Sequence, residues 1–477
     1  MIREKGYPPQ LFLRFFRWYC HHRLQNYIEG DLLEVYEKRC KRLGKRRADL
    51  KFIVDVLLLF RPGIIKPAYR TDRPTEGYKN LNNYGMFKSY FKIGWRNLLK
   101  NKSHSLINIG GLTAGMTVAL LIGLWIFDEL TFNKFHTNYD TIGRVMRNIT
   151  VNGETLTRPY LPNNLGDELK TKYSNSFKQV VMAYPVEEYF LTYEETKLPL
   201  RGEFMEENGA ELFSLPMLKG TRSGLIDQHS IFLSESTAKI IFGDDEPLDR
   251  LLKINNSMDV KVTGVYKDLP RNTRFHDVKF FAPLELLASY EPWMKEPSFS
   301  NNFLDIYVQL EEHSGFEAVS NQIKDALLNN IRDDQKYAVL NPQLFLHPMA
   351  KWHLQSEWKN GVNAGGLIQI VWLFTIVGIF VLLLACINFM NLSTARSEKR
   401  AKEVGIRKSI GSRRVQLMYQ FFSESFLVVF LAFICSLATV AVSVSWFNDL
   451  TGKQIEIPLT NVYFWLGSLA FIFVTGL

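Results

Sequence analysis

The sequence predicts an integral membrane protein with α-helical spans, an α+β extracytoplasmic domain and a small all-α N-terminal cytoplasmic module. Three observations predict it. Leu367–Leu392 and Ser425–Phe447 contain no charged residue, and each exceeds the roughly 20 apolar residues that cross a bilayer as a helix. Charge is segregated along the chain: residues 1–104 carry net +14, residues 128–366 net −9, and residues 391–421 net +6. Basic blocks flanking apolar runs, with an acidic block between them, form the positive-inside pattern. Finally, the acidic block interleaves hairpin and helix signals, which is the mark of a folded α+β domain.

Residues 1–70 read as a helical module. Pro8-Pro9 precedes an apolar and aromatic stripe of Leu11, Phe12, Phe15, Phe16 and Tyr19, and Ile28, Leu32, Leu33, Val35 and Tyr36 follow at near-helical spacing. Phe52–Phe60 is too short to span and stops at Arg61-Pro62-Gly63, so it is either a core helix or an interfacial one. Residues 71–104 hold a polar linker and then Phe87–Lys102, a basic amphipathic helix. Phe87, Phe91, Trp95 and Leu98 or Leu99 would face the headgroups or pack on the span bundle. No apolar core opens the chain, so no cleavable leader is expected in Met1–His104.

The first span is placed at 105–127. Lys88, Lys92, Arg96, Lys100 and Lys102 precede it, with no acid among residues 85–104. It therefore runs from inside to outside, and 128–366 lies outside. Gly111 and Gly115, four apart within this span, make a close-approach face for another helix, either in this chain or in a second copy. The outside domain has no cysteine and must fold on its core alone.

Within that domain, Arg144–Val151 and Glu154–Thr157 alternate about Asn152-Gly153, and Leu251–Val265 alternates about Asn255-Asn256-Ser257; both read as hairpins. Leu161–Tyr173 and Gly315–Ile331 read as helical. Ser234–Phe242 has a Ser cap and a Gly243 stop. Phe303–Leu310 and Gln343–Leu346 read as strands. Trp352 and Trp358 are expected to bring the chain back to the membrane surface. The runs Glu194-Glu195, Glu206-Glu207 and Asp244-Asp245-Glu246 read as a solvated acidic face.

The second and third spans, at 367–392 and 425–447, enclose an elbow at 393–424 with eight Lys/Arg against Glu398, Glu403 and Glu424. Gly411-Ser412 divides it into two arms. Arg396, Arg400, Glu403 and Arg407 recur at helical spacing along the first arm. Such a charged elbow either anchors the chain or takes a push from a soluble partner. A fourth apolar run, 457–477, reads as the start of a fourth span and stops without a polar flank, so the natural chain is expected to continue.

Several chemistries are missing from the sequence. It contains no GxxxxGK[ST] phosphate loop, no HExxH, no CxxC and no GxSxG. His21-His22 and the pair His347 and His353 match no metal-ligand spacing. Asn148-Ile149-Thr150 fits a glycosylation acceptor, but so short a triplet carries little. The scattered basic residues of the N-terminus suit a membrane better than nucleic acid.

The segment ACINFMNLSTARSEKRAKEVGIRKSIGSRRVQLMYQFFSES resembles the hallmark region of MacB/FtsX-type ABC transporter permeases, and FKIGWRNLLKNKSHSLINIGGLTAGM resembles their first span. LFSLPMLKG, IFLSESTAKIIFGDDEPLDRLLKINN and VKVTGVYKDLPRNTRFH are similar to the MacB-like extracytoplasmic core. The opening PPQLFLRFFRWYC, with YIEGDLLEVYEKR and VDVLLLFRPGIIKP, resembles a prefix module found before some of these permeases. The resemblance implies a permease subunit in a bacterial inner membrane that passes ATP-driven motion through its spans to the outside domain. MacB itself carries its ATPase at the N-terminus, where this chain has the prefix module. An ATPase dimer acting in trans is therefore implied, with ATP bound by that partner and no cofactor in this chain. A second permease half or copy is open as a further partner. Carried over by residue, Arg396, Arg400, Glu403, Gly405, Arg407, Lys408 and Gly411 would form the ATPase-coupling elbow. The rival reading is a membrane sensor whose outside domain binds a ligand and signals through the elbow.

Overall fold

The computed structural model describes residues 7–60, 64, 82–409 and 414–476, with side chains described except at 22–23, 82–90, 396–403, 407–408 and 414. The chain divides into two units: residues 1–110, 391–432 and 467–477 form one, and residues 111–390 and 433–466 the other.

The first unit opens with three helices, α1 (Gln10–Tyr19), α2 (His22–Leu43) and α3 (Lys45–Leu58). Leu13, Phe16 and Tyr19 meet Leu32, Tyr36, Phe52 and Val56 in a core of their own. Phe52 and Val56 make α3 the closing core helix of this module, while Val54, Leu57 and Leu58 on its other side stay exposed. Next come α4 (Asn82–Lys100) and α5 (Lys102–Leu130).

The outside domain follows α5. Its elements in order are β1 (Ile142–Val151), β2 (Glu154–Arg158), α6 (Asn163–Lys172), β3 (Phe177–Tyr193), β4 (Thr196–Met205), α7 (Gly209–Leu212), β5 (Met217–Gly220), β6 (Ser230–Ser234) and α8 (Glu235–Phe242). Then come β7 (Leu251–Ile254), β8 (Met258–Tyr266), β9 (Phe280–Pro283), α9 (Leu284–Tyr290), β10 (Asp305–Leu310), α10 (Phe316–Ile323), α11 (Ala326–Asn330), α12 (Gln335–Ala338) and β11 (Gln343–Pro348). Eleven strands make one sheet with the order β11-β1-β10-β3-β4-β9-β6-β8-β5, β2 pairing β1 and β7 bridging β3 and β8. Most pairs are antiparallel, but β4–β9 and β6–β8 are parallel.

Strand alternation divides the domain's interior in two. Ile306, Val308 and Leu310 of β10 point into one core with Val180, Met182, Phe280 and Ile231. Tyr307 points into the other, with Val181, Phe281 and Phe232. Successive side chains leave opposite faces of a strand, so β10, buried along its whole length, holds both cores together. The β11 edge is closed rather than left open to pairing: its Leu344 N–H donates to Lys324 O at 2.8 Å and its Leu346 N–H to Ser320 Oγ at 2.9 Å.

Both hairpin turns have the backbone their asparagines permit. Asn152 (φ 52°) with Gly153 (φ 84°), and Asn255 (φ 51°) with Asn256 (φ 59°), lie in the left-handed region that Asn and Gly tolerate best. Ser234 caps α8 by accepting from Thr237 N–H, and Gly243 (φ 63°) ends it. Gly315–Ile331 is not one helix: α10 ends at Ile323, and α11 starts at Ala326. Trp352 is not at a membrane surface. It is 8 % exposed, stands in the second core and donates its indole N–H to His347 O at 2.7 Å. Trp358, on the short hairpin β12 (Glu357–Lys359) and β13 (Val362–Gly365), packs on Phe345 and His347.

Three apolar helices complete the chain: α13 (Leu367–Ser409), α14 (Arg414–Thr451) and α15 (Val462–Gly476). Among the described residues, α5, α13 and α14 are long and apolar enough to cross a membrane, and α15 is a shorter apolar helix.

Candidate functional site

In the first unit the described parts of the charged elbow, up to Ser409 and from Arg414, are helical. Helix α13 runs without a break from Leu367 to Ser409, so Arg396, Arg400, Glu403, Gly405, Arg407 and Lys408 all stand on helical backbone. The side chains of the five charged residues, and Gly411 altogether, lie outside the described residues. Gly405 is exposed and open: a Cβ there would meet nothing within 4 Å. Where α14 leaves the elbow, Glu424 accepts from Asn97 Nδ2 of α4 at 2.9 Å. A Cβ on Gly94 would lie 3.4 Å from Glu424 Cγ. The basic amphipathic helix α4 thus packs its Gly94–Asn97 side on α14 and leaves Phe91, Trp95 and Leu99 exposed.

In the second unit α5 and α13 touch at the two glycines. A Cβ on Gly115 would fall 2.4 Å from the Ala385 Cβ, and one on Gly111 2.9 Å from Asn388 Nδ2. Real Cβ atoms do not come as close as 2.4 Å, so at Gly115 only glycine lets the backbones approach, whereas at Gly111 the obstacle is a side-chain tip that can swing aside. Leu112 and Met116 are buried beside them. Further along, Trp125 packs on Phe374 with ring centroids 5.2 Å apart.

At the end of α5 the packing turns polar. Lys453, in the turn between α14 and α15, pairs with Asp128 and lies 2.8 Å from Glu129 Oε1. The other Glu129 oxygen contacts His353 Nε2, and the His353 ring lies flat on Phe132 at 3.7 Å. Three separate pieces of chain therefore converge on one buried carboxylate: the end of α5, the 452–455 turn and the segment after β11. Asn448 shapes the turn by donating to Ile455 O at 3.0 Å and accepting from Ile455 N–H at 2.9 Å. Leu124, Val440 and Ile455 seal it from beneath.

The joint continues into the sheet. Asn133 has left-handed backbone (φ 64°) and is fully buried. It accepts from the Arg274 N–H at 3.0 Å and from Thr273 Oγ at 3.1 Å. His136, held below its ordinary pKa by burial, touches Thr273 Oγ at 2.9 Å and Phe213 O at 2.7 Å. Arg274 reaches within 3.9 Å of Asp305, which also pairs with Arg144 and accepts from Tyr307 OH at 3.4 Å. Beside this cluster Glu203 is fully buried, and neither carboxyl oxygen has a hydrogen-bond partner. Burial, with Asp305 nearby, pushes its pKa up to about 8 against the pull of Arg274 and Arg144. A contact path thus leads from the end of the first apolar helix to the strand shared by both cores.

Residues 105–326 match the MacB-like periplasmic core domain, and residues 375–477 match the FtsX-like permease C-terminal region. The chain belongs to the MacB/FtsX-type ABC permeases. Among relatives of this family, an ABC transporter permease of Bacillus subtilis, YknZ, is 25 % identical over 219 residues, covering 46 % of this chain and 48 % of its own. The macrolide export ATP-binding/permease protein MacB of Campylobacter jejuni is 21 % identical over 383 residues, covering 76 % of this chain and 54 % of its own. The chain thus spans about half the length of these relatives. The solved periplasmic region of MacB from Actinobacillus actinomycetemcomitans aligns at 14 % identity and a TM-score of 0.32, over 45 % of this chain and 92 % of that one. As a MacB/FtsX-type permease the protein is a membrane protein with an extracytoplasmic α+β domain.

The residues that join spans to domain in this permease were not singled out from sequence. Asp128 and Glu129 fall just past the apolar run, where they read as ordinary flanking charges, and Lys453 is the one cation between the third and fourth apolar runs. That isolation was the available signal. Glu206, read as solvated, pairs with Lys170 and accepts from the Met182 N–H at 2.8 Å.

Proposed function

We propose that this chain is the permease subunit of an ABC-type export or extrusion system, in a bacterial inner membrane with its N-terminus cytoplasmic. A separate ATPase dimer binds and hydrolyses ATP, and its closing pushes the elbow. The spans carry the displacement to the outside domain, where it does work on the cargo. The observation that carries this reading is the continuity of α13. At 1.5 Å rise per residue, a 43-residue helix is about 65 Å long, roughly twice the hydrocarbon thickness. No loop interrupts the backbone between the Ser409 end of this helix and its Leu367 end, so a push on one end meets no break in which to be lost. A closely packed Gly111–Gly115 face supports the same reading, because it makes α5 follow α13. The buried joint at Glu129 supports it too, because motion of α5 must move or break a charged contact.

In this scheme Arg396, Arg400, Glu403, Arg407 and Lys408 pair with charges on the ATPase, and Gly405 and Gly411 allow close approach. The Campylobacter relative is named for macrolide export. For this chain the proposal stops at the class of an extruded molecule.

Purification of the natural full-length protein in a mild detergent, followed by mass spectrometry of what accompanies it, tests the reading. An ABC ATPase subunit should co-purify, and the complex should hydrolyse ATP. Recovery at native expression with no ATPase, together with a signalling domain on the same polypeptide, would turn the case over to a membrane sensor.

A further inference from the structure

The helical module formed by α1, α2 and α3 has a complete core and a second apolar surface that the core does not use. Tyr19 donates to Val56 O at 2.6 Å, and Phe16, Phe52 and Val56 are almost wholly buried. On the far side of α1 lie Leu11 (74 % exposed) and Trp18 (70 %), spaced i, i+7, and between them the half-buried Phe15 rests against the core. On the far side of α3 lie Leu50 (65 %), Val54, Leu57 and Leu58 (69 %), again at helical spacing. The Phe15 ring stacks on Phe60 at 5.8 Å, which brings the α1 stripe to the end of the α3 stripe. A solvent-facing helix side rarely holds this many large apolar groups in register without something to cover them.

The exposed charges that α1 and α3 set among these apolar groups are of one sign. Arg14 sits within the α1 stripe, and Arg47 and Lys51 flank Leu50 and Val54; all three are exposed. The acids of α3 are occupied elsewhere: Asp49 accepts from Tyr36 OH at 2.7 Å, and Asp55 pairs with Arg39. Of the exposed acids of α2, Glu34 and Glu37 pair with Lys38 and Lys41, and Asp31 lies in a groove with Arg39, Asp55 and Leu58 at the C-terminal end of the α3 stripe. The face built from α1 and α3 is thus aliphatic and aromatic with a fringe of cations.

We propose that this face rests on the surface of the bilayer that the chain's own spans cross, held there by anionic lipid headgroups. Leu and Val side chains would enter the acyl boundary, Trp18 would lie at headgroup level, and Arg14, Arg47 and Lys51 would meet lipid phosphates. Charge favours this occupant over a second copy of the module, because two such faces would bring cation against cation. Tethering favours it too. Residues 65–81 join the module to α4, and even fully extended they reach only about 60 Å. The membrane is therefore always within range at high effective concentration. The inference does not depend on what the spans transmit.

The test uses the whole chain in nanodiscs, with Cys40, Cys386 and Cys435 replaced by Ser and the buried Cys20 kept. A polarity-sensitive dye is attached at Val54→Cys on the proposed face, or at Glu37→Cys on α2 as a control. In discs containing phosphatidylglycerol, the dye at position 54 should shift to the blue and be quenched by lipid spin-labelled near the headgroup. The dye at position 37 should do neither. Arg14→Gln, Arg47→Gln and Lys51→Gln are surface changes that leave the module core intact. Each should lower the bilayer-bound population about fivefold, and added salt should act the same way. A position-54 dye that stays in water in anionic discs overturns the proposal. So does a dye shielded from water but untouched by the lipid quencher when an ATPase partner is present, which would give the face to a protein.

Discussion

The ammonium of Lys453 lies 2.8 Å from the Glu129 carboxylate, joining the turn after α14 to the end of α5 across most of the chain's length. The Glu129 side chain is 4 % exposed and that of Lys453 15 %, so neither charge is well hydrated, and each depends on the other. Removing one partner of such a buried pair typically costs about 3–5 kcal/mol, while replacing both costs far less. Lys453→Met should therefore lower the unfolding temperature of the detergent-solubilised protein markedly. Lys453→Met with Glu129→Gln should recover part of the loss, because Asp128 is left without its lysine in both variants. Equal destabilisation by the single and double variants would show that the pair is not coupled.

Glycines in the first span should differ sharply in their tolerance of a methyl group. Gly115→Ala forces a contact with Ala385, and Gly111→Ala with Asn388, whereas a Cβ at Gly110 or Gly123 meets nothing within 4 Å. Gly115→Ala should loosen the α5–α13 contact, and Ala385→Gly should restore it in the double variant. Gly110→Ala and Gly123→Ala should be close to neutral. Disulfide trapping between cysteines placed on the two helices measures the contact. Tolerance of Gly115→Ala without rescue would mean that the helices do not meet there.

Stability should depend on pH through Glu203. Its carboxyl is raised by burial to about 8 from an ordinary 4.5. Between those values the folded state holds a proton that the unfolded state has lost, so stability falls as pH rises across the window and levels off above about 8. The slope cannot exceed about 1.4 kcal/mol per pH unit for one group. Glu203→Gln should flatten that fall and raise stability at the alkaline end. Chemical denaturation of the whole chain at several pH values reads both effects. An unchanged slope in the variant would remove Glu203 as its source.

The elbow and the orientation can be tested together. Single cysteines at Ser257 and Ser409, both exposed, should react with an impermeant reagent from outside and from inside respectively. Reaction of Ser409 in intact cells would reverse the topology. Charge reversal at Glu403 or Arg407 should lower stimulation of the partner ATPase while membrane insertion stays normal. Exposed ion pairs contribute only about 0–1 kcal/mol, so the double reversal should show the effect more clearly. Full stimulation in that double variant would leave the elbow as an anchor.

Features set by a residue and its near neighbours were legible in the sequence. Asn152-Gly153 and Asn255-Asn256 marked their hairpins because few residues accept left-handed backbone, and Ser234 and Gly243 marked the two ends of α8 for similar local reasons. Runs without charge marked the long helices, since the bilayer acts on composition alone. The antiparallel pair β3–β4 from Phe177 to Met205 escaped notice. Glu187-Glu188 and Glu194-Glu195 interrupt its alternation, and its register comes from neighbours distant in sequence. Trp352 looked like a membrane-surface residue until packing buried it beside Tyr307.

The sequence by itself therefore determined the class of the protein: which stretches are long and apolar enough to cross a bilayer, where positive charge gathers along the chain, and where the outside domain turns and caps its chain. Only the tertiary structure decided which helices touch at Gly115, which carboxylate is buried without a partner at Glu203, and that Asp128, Glu129, His353 and Lys453 form one joint. The reason is physical. Backbone sterics and hydrophobic transfer act on a residue where it stands in the chain. A desolvated charge acquires its meaning from whatever the fold brings within a few ångströms of it.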